Sequence, residues 1–258
     1  MRATLILSML LSAVVSAQGE VRPAAQGDVR PAQQDAKALL LLDKADQLAY
    51  SAKAAGLKDI TYQQSLSQYP GLAIEVKWML PDRRTAKVVL KADAPEHTKR
   101  IAASLEKLLV PQVLQVLDNV IGKDNRSTYA TDEISLVSER LVRVVPRSVR
   151  NAGLFSENHI TFDLRGLPIM TKSKKPTGVT LDTQVAWEAM GTTGKFRVQT
   201  VSSAAGETKS EVRFAYTESG GFIFPKSITA ETQDNSVIFS FDEYKPNTGL
   251  TAKDFPGA

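Results

Sequence analysis

The chain has 258 residues, of which 43% are hydrophobic, 23% are charged and none is cysteine. Its 32 Lys and Arg residues only slightly outnumber its 28 Asp and Glu residues, an excess too small to indicate nucleic-acid binding. Without cysteine, disulfide scaffolds, Cys-ligated zinc, iron–sulfur clusters and thiol nucleophiles are excluded. Two histidines provide no His-rich metal site, so no metal or other cofactor is expected.

Residues 1–17, MRATLILSMLLSAVVSA, have the pattern of a secretory signal peptide. Arg2 precedes an apolar run over residues 5–15, and Val15, Ser16 and Ala17 fit the small-x-small cleavage pattern. The run is too short to span about 30 Å of hydrocarbon. We therefore expect a periplasmic or secreted protein, cut after Ala17, with no transmembrane segment after cleavage. Since no cysteine follows the cut, no lipid anchor is expected there.

Residues 18–34 contain an imperfect tandem octapeptide, GEVRPAAQ followed by GDVRPAQQ. Such a segment, with few large apolar side chains, cannot offset the entropy of ordering its backbone, and two copies are too few for a solenoid. It is predicted to be a flexible leader, with peptide binding as the alternative. Residues 35–258 are expected to form a single half-barrel domain with a helical lid.

The domain begins with a helical pattern over residues 35–56, with Asp35 as N-cap and Gly56 as C-cap. Four apolar residues in a row, 39–42, cover more than one helix face, which indicates a helix between two surfaces or over an apolar cavity. Alternation over residues 72–80 and 85–91, with a turn at 81–84, then predicts a hairpin. A second helical pattern over 95–122 is interrupted by Pro111, which predicts a kink or two short helices.

Everything after about residue 128 is typical of strands and turns. Apolar or alternating runs occupy 134–136, 141–145, 159–164, 179–190, 196–201, 212–216, 222–224 and 237–241, with a hairpin turn at 219–221. Six or more strands after two helical segments predict an α+β fold: a large curved antiparallel sheet, an incompletely closed β-barrel, capped by helices.

Catalytic motifs are absent from the sequence: it has no GxGxxG, P-loop, HExxH or GxSxG. The segment 191–195, GTTGK, is predicted to be a turn between strands. His97 and His159 have no local catalytic signature, although a Ser-His-Asp triad assembles in space rather than along the chain. Lys172, Lys174 and Lys175 form the densest basic cluster, predicted to be a solvated turn, with an acidic-lipid or nucleic-acid contact as the alternative.

The remaining candidates are apolar and aromatic side chains, many of them at strand period. A curved sheet that does not close tightly, capped by a Leu-rich helix, leaves an apolar space that lipids can enter. The residues expected to line it are Leu40, Ile74, Val76, Trp78, Leu105, Leu108, Val212, Phe214, Tyr216, Phe222, Phe224, Phe239 and Phe241. For any one of these residues an ordinary place in the core is the alternative.

The last forty residues carry a family resemblance. The pattern comprises Gly221, Phe222, Phe224, Pro225, Lys226, Ile228, Val237, Phe239, Phe241, Tyr244, Asn247, Leu250, Phe255 and Pro256. It resembles the C-terminal end of LolA-like outer-membrane lipoprotein-sorting proteins, where a Pro-Lys corner joins two strands and a Tyr-x-x-Asn with a terminal Phe ends the chain. Upstream, the order of elements agrees in layout alone.

The resemblance implies an incompletely closed β-barrel that holds acyl chains under a helical lid. Relatives on this fold carry lipoproteins through the periplasm, move other lipids or act as sensory domains. The family's carrier uses an arginine near the lid to control opening; Arg83 and Arg84 are in the hairpin turn, but neither lies in a matching motif, so the role is not carried over.

The sequence therefore predicts an exported, non-enzymatic carrier that shelters a lipid, or the acyl chains of a lipoprotein, in outer-membrane biogenesis. The alternative is a cell-envelope sensor or protein-interaction module on the same fold, and a third hypothesis is an envelope hydrolase that uses His97 or His159. Expected partners are lipid or lipoprotein acyl chains and envelope donor and acceptor proteins, without nucleic acid. The sequence predicts neither the identity of the ligand nor the oligomeric state.

Overall fold

The computed structural model describes residues 33–80, 83–121, 128–147 and 152–255, without the side chains of residue 108 and of residues 111–121. The predicted signal peptide, its cleavage site and the leader as far as residue 32 lie outside the described residues. Gln33 and Gln34, at the end of the predicted leader, lie inside them. Gln34 forms a parallel bridge with Ile134.

Within this part of the chain there are two α-helices, twelve strands and a short 3-10 helix. They are α1 (Ala36–Leu48), β1 (Asp59–Leu66), β2 (Leu72–Met79), β3 (Arg83–Leu90), α2 (Glu96–Ile121), β4 (Glu133–Ser138), β5 (Leu141–Val145), β6 (Glu157–Phe162), β7 (Pro168–Lys174), β8 (Thr180–Ala189), β9 (Phe196–Ala205), β10 (Thr208–Ser219), β11 (Phe222–Thr232), β12 (Ser236–Pro246) and the 3-10 helix (Ala252–Asp254).

The strands form one antiparallel sheet in the order β3-β2-β1-β12-β11-β10-β9-β8-β7-β6-β5-β4. Because β3 and β4 stand at the two ends of this order, the sheet does not close into a barrel. Each of these edge strands has a helix packed against it, α2 on β3 and α1 on β4, which protects the edge. The predicted α+β class, with a large antiparallel sheet and helices packed on it, is confirmed.

The described residues divide into two compact units. The first contains residues 33–50, 128–147, 152–212 and 232–234. Its core lies where α1 covers β4, β5 and β6, and it is filled by Ala38, Leu42, Ala45, Ile134, Val142, Val144, Leu154, Phe155, Ile160 and Phe162. Leu40, on the other side of α1, is 66% exposed. The broad apolar run on this helix therefore places one leucine in the core and one at the surface.

Helix α1 begins as predicted and ends earlier than predicted. Asp35 is its N-cap, and the carboxylate accepts a hydrogen bond from Lys37 N at 2.7 Å. The expected C-cap at Gly56 is wrong, because the helix stops at Leu48. Tyr50 N donates instead to Phe196 O at 2.8 Å, and this strand-like pairing draws the backbone out of the helix.

The first unit also corrects the prediction for the lysine cluster. The expected turn is the lysine segment 171–177, but its residues 171–174 belong to β7, which is paired on one side with β6 and on the other with β8. Lys172 and Lys174 therefore lie on a strand, with exposed side chains, because strand pairing on both sides outweighs their low strand propensity. Lys175 is in the turn that follows. The segment 191–195 is the predicted turn, between β8 and β9.

The second unit contains residues 51–80, 83–121, 213–231 and 235–255. The predicted hairpin is confirmed, with Met79 opposite Arg83 where β2 and β3 meet. Helix α2 runs through Pro111, so of the two alternatives predicted there, a kink or two short helices, the second is wrong. A proline removes one backbone donor, and the other hydrogen bonds of a 26-residue helix remain to hold it together. Among the described residues, no helix is both long and apolar enough to cross a membrane.

Candidate functional site

One face of the second unit brings together predicted residues from strands that are far apart in the sequence. Between β1 and β2, Ile60 is opposite Trp78, Tyr62 is opposite Val76 and Gln64 is opposite Ile74. Residues directly opposite each other in a sheet point to the same side. Ile74, Val76 and Trp78 therefore share this side with Tyr62 and Gln64, and we call it the apolar face.

The same face continues through β12 to β11. Gln64 is opposite Phe241, and Leu66 is opposite Phe239. Phe239 is in turn opposite Ile228 of β11. The predicted residues of β2 and β12 thus lie on one side of a sheet, with β1 between them. None of the residues predicted to line the apolar space lies on β1, although its alternating Ile60, Tyr62 and Leu66 carry the same signal.

Aromatic rings form a connected cluster on β1, β11 and β12. The ring of Tyr244 lies 5.4 Å from that of Tyr62 and 4.6 Å from that of Phe224, measured between centroids. Phe222 contacts Phe224, with ring centroids 6.1 Å apart, and Phe241 is 6.1 Å from Tyr62. Phe222, Phe224 and Phe241, all predicted to meet a ligand, are thus buried in a cluster of five rings.

The two tyrosines of this cluster differ in their hydroxyl groups. Tyr244 Oη donates to the backbone oxygen of Pro225 at 2.6 Å. Tyr62 Oη is fully buried and has no hydrogen-bond partner within the described chain, which costs about 1–3 kcal/mol. Burial raises the pKa of both phenols, so both carry their proton across the physiological range.

The C-terminal residues behind the family resemblance hold the chain end to β1. Asn247 Oδ1 accepts from Lys58 N at 2.7 Å, and Asn247 N donates to Asp59 O at 2.8 Å. The buried carboxylate of Asp59 accepts from Thr248 N at 2.7 Å and from Gly249 N at 3.1 Å. Asn247 itself has a positive φ of 53°. The asparagine of the Tyr-x-x-Asn pattern therefore binds the chain that leaves β12 to the beginning of β1.

Helix α2 packs against β3 and, to a lesser extent, β2. Leu105 is buried, and residue 108 lies among the side chains that are not described. Two apolar residues of the elements in contact are exposed, Leu90 of β3 by 38% and Ile101 of α2 by 39%. Glu106 Oε1 accepts from Val88 N of the edge strand at 3.4 Å.

The two arginines of the hairpin lie at the start of β3. Arg83 is exposed, while Arg84 is half-buried and stands opposite Trp78. Arg84 thus places one cation at the end of the apolar face that Trp78 occupies.

The other predicted residues are not among those that the strand register and the ring contacts above bring together. Val212 of β10 is fully buried in the first unit, whereas Phe214 and Tyr216 are half-buried in the second, with ring centroids 6.3 Å apart. Leu40, also in the first unit, is exposed. The role of all thirteen residues in ligand binding stays a prediction.

A groove that sequence reasoning missed lies on β7, β8 and β9 in the first unit. It has a volume of about 360 Å³ and is lined by Ile169, Met170, Gln184, Val185, Ala186, Thr200 and Ser202. Its lining mixes small, polar and aliphatic side chains without any aromatic residue. No motif marks such a lining, because it comes from the register of three adjacent strands.

The histidines have ordinary surroundings. His97 is exposed in the first turn of α2, with its Nε2 3.4 Å from Thr98 Oγ1. His159 Nε2 lies 3.5 Å from Glu157 Oε1 on the same strand, and Glu157 also pairs with Arg143. The hydrogen bond from Arg143 is the main cause that lowers the pKa of Glu157. The described residues contain no group of three or more His, Asp or Glu side chains placed to hold a metal.

No protein-family model matches the chain, and no curated protein matches it. Three solved structures are similar to it in fold. One is a DUF1329 family protein from Desulfovibrio piger, with 9% identity, coverage of 86% of this chain and 98% of that chain, and a TM-score of 0.38. A LolA superfamily protein from Nitrosomonas europaea has 9% identity, coverage of 84% and 96%, and a TM-score of 0.29.

The third is a domain assigned to outer-membrane lipoprotein sorting, from Vibrio parahaemolyticus, with 10% identity, coverage of 83% of this chain and 97% of that chain, and a TM-score of 0.33. These neighbours include the group of proteins that the C-terminal pattern resembles. Because all three TM-scores lie below 0.5 and all identities at or below 10%, the likeness decides nothing about function.

Proposed function

We propose that this protein is an exported, non-enzymatic carrier that shelters a lipid, or the acyl chains of a lipoprotein, against the apolar face of its second unit. The observation that carries the proposal is the alignment of Ile74, Val76 and Trp78 with Phe239 and Phe241 on one side of the sheet. Such a face offers an acyl chain a mostly apolar surface, with the Gln64 amide between Ile74 and Phe241 as a polar group on it.

The strength of this kind of binding is ample. Burying a palmitoyl-length chain is worth roughly 12 kcal/mol at about 0.8 kcal/mol per methylene, before the ordering of chain and side chains is subtracted. A carrier needs much less than this, because it must also release its cargo. Partial contact with the face is therefore sufficient.

The contact between α2 and β3 is the proposed entrance. The helix lies on an edge strand, and Leu90 and Ile101, on the two elements in contact, expose apolar surface to solvent. A helix that swings away from an edge strand breaks no strand pairing. The chain would enter there and reach Val76 and Trp78 of the neighbouring strand.

The remaining parts of the proposal come from the sequence. The signal-peptide pattern supports a periplasmic or secreted location, with cleavage after Ala17, a leader over 18–34 and the carrier domain over 35–258. Partners would be the lipid or lipoprotein and the envelope proteins that donate and accept it.

The test is to purify the processed protein, extract it with organic solvent and identify bound lipid by mass spectrometry. Displacement of a fluorescent fatty acid from the delipidated protein then measures binding directly. Co-purified lipid and displacement at micromolar concentrations are expected. If a folded sample contains no co-purified lipid and shows no displacement, the carrier function is ruled out.

A protein-interaction module of the cell envelope is the second candidate, and the first unit favours it. The core under α1 is filled by aliphatic and aromatic side chains, while Leu40 on the outside of that helix is 66% exposed and Val137 on the edge strand β4 is 53% exposed. This candidate would be supported by two results together. The purified protein contains no bound lipid, and a pull-down captures a partner with the wild type but not with Leu40→Arg.

A further inference from the structure

We propose that Tyr62 binds the polar end of the ligand, its hydroxyl donating a hydrogen bond to the ester carbonyl oxygen of a neutral acyl lipid. The inference rests on the proposed function and deepens it, because it names the chemical class of the ligand and a residue that selects it. Tyr62 lies in the middle of β1, directly opposite Val76 on the apolar face.

The first observation is that the Tyr62 hydroxyl has no hydrogen-bond partner among the described residues. The side chain is 3% exposed, and its oxygen is buried without a hydrogen bond to any described residue. Buried polar groups in native proteins are nearly always paired, and an exception calls for an explanation. The neighbouring Tyr244 shows the normal case, since its hydroxyl reaches Pro225 O at 2.6 Å.

The second observation is that the surroundings of Tyr62 carry no charge, and that their polar groups are the Gln64 amide and the phenol of Tyr244, whose ring lies 5.4 Å away. Its neighbours on the same face of β1 are Ile60 and the buried amide of Gln64, and Val76 is across the strand pair. Burial is the single cause that raises the pKa of Tyr62, with no contribution from a nearby charge. The hydroxyl is therefore a neutral hydrogen-bond donor that can bind an acceptor group of a ligand.

These surroundings select an ester over a free carboxylate. A carboxylate placed beside Tyr62 would lose its hydration without a cation to compensate, which is strongly unfavourable. Arg84 of β3 is opposite Trp78, which lies two residues from Val76 along β2, so this cation is at the Trp78 end of the face. An ester carbonyl offers an acceptor without a charge, and its acyl chain continues along Val76 and Trp78 as the proposed function requires.

The test compares two ligands and three proteins. Methyl palmitate and an n-alkane of matched length are titrated into delipidated full-length processed wild type, Tyr62→Phe and Tyr69→Phe, with displacement of a fluorescent acyl probe as the readout. Tyr69 lies in the turn after β1 and serves as the control. We expect Tyr62→Phe to weaken methyl palmitate binding about five- to tenfold and to leave alkane binding unchanged. The infrared carbonyl band of bound ester should move to lower frequency in the wild type and not in Tyr62→Phe.

Each other outcome has a distinct meaning. Equal ester affinity in wild type and Tyr62→Phe overturns the inference, because the hydroxyl then contributes no hydrogen bond to the ester, while the carrier function stands. Equal weakening of ester and alkane also overturns it, because the hydroxyl then acts only through packing. If the folded wild type binds neither ligand, the proposed function itself fails and the inference with it.

Discussion

The hydroxyl of Tyr244 donates a hydrogen bond to the backbone oxygen of Pro225 across 2.6 Å. This bond joins the two halves of the C-terminal pattern, the Phe224-Pro225-Lys226 corner on β11 and the Tyr-x-x-Asn end of β12. The ring of Tyr244 also stacks on Phe224, at a centroid distance of 4.6 Å. The C-terminal pattern that resembles a family of carriers therefore stabilises the contact between β11 and β12. It is evidence about the fold and not about the ligand.

We predict that Tyr244→Phe lowers the free energy of unfolding by about 1–2 kcal/mol, because the buried Pro225 oxygen loses its donor. Urea denaturation followed by fluorescence measures the change. Tyr62→Phe is the matched control from the same ring cluster. Since it removes a hydroxyl that has no hydrogen-bond partner in the part of the chain that the structure describes, it should leave the stability of the delipidated protein unchanged or raise it. Equal losses in both variants would contradict the role given to the Tyr244 bond.

The sequence predicts those features of the fold that depend on residues close together in the chain. It does not predict those that depend on contacts between distant segments. The alternation of Ile74, Val76 and Trp78 and the N-cap of α1 at Asp35 are local signals, and they predicted their elements correctly. The end of α1 could not be predicted, because the pairing of Tyr50 with Phe196 joins segments far apart in the chain.

The same limit applies to the candidate site. The alternating apolar residues of β2 and the alternating aromatic residues of β12 were recognised separately, but only the register places Gln64 between Ile74 and Phe241. Whether a buried hydroxyl finds a partner depends on several strands at once. For that reason the sequence could not predict that the Tyr62 hydroxyl lacks a hydrogen-bond partner among the described residues.

Asp163 predicts a pH dependence of stability in the first unit. Burial by itself would raise the pKa of Asp163, but hydrogen bonds from Leu167, Arg165 and Gly166 outweigh it and hold the pKa below its usual range. The unfolded chain therefore binds this proton more tightly than the folded one. The stabilisation is complete above the unfolded value, about 3.9, and is lost as pH falls through the lower folded value.

We accordingly expect Asp163→Asn to lower stability near neutral pH and to flatten the decline of stability between about pH 5 and pH 2. Urea midpoints measured across that range test this. Asp234→Asn, at an exposed loop position, is the control and should keep the wild-type profile. A profile for Asp163→Asn that is parallel to the wild type would show that the carboxylate does not contribute.

Gly71, in the turn before β2, is predicted to be intolerant of substitution. Its φ is +76°, and a Cβ at this position would lie 2.5 Å from the Cα of Ala94. Gly71→Ala therefore adds a backbone clash to the strain of a left-handed conformation, and we expect a loss of more than about 2 kcal/mol. Gly56→Ala is the matched control: its φ is +99° but its Cβ meets nothing within 4 Å, so about 1 kcal/mol is expected. Thermal unfolding compares the two, and equal losses would contradict the clash.

Leu40 and Leu42 lie on opposite sides of α1, one at the surface and one in the core of the first unit. Leu42 is 1% exposed in the core of the first unit, whereas Leu40 is 66% exposed. Leu42→Ala should cost about 2–4 kcal/mol through lost burial and an internal cavity. Leu40→Ala should change stability by less than about 0.5 kcal/mol. Denaturant titration gives both values; a large loss for Leu40→Ala would mean that this side of the helix is covered.

The two tryptophans of the chain can report where the ligand lies, because they are on strands six places apart in the sheet order, β2 and β8. Trp78 is 3% exposed on the apolar face, and Trp187 lies on β8, beside the groove, with its indole Nε1 donating to Pro168 O at 2.7 Å. Bromine quenches indole fluorescence only near contact. A brominated acyl ester should therefore quench Trp187→Phe, which retains Trp78, and leave Trp78→Phe largely unquenched, although the latter still binds in a displacement assay. The reverse pattern would place the ligand in the groove on β7, β8 and β9 and refute the proposed site, while the unbrominated ester controls for conformational effects on fluorescence.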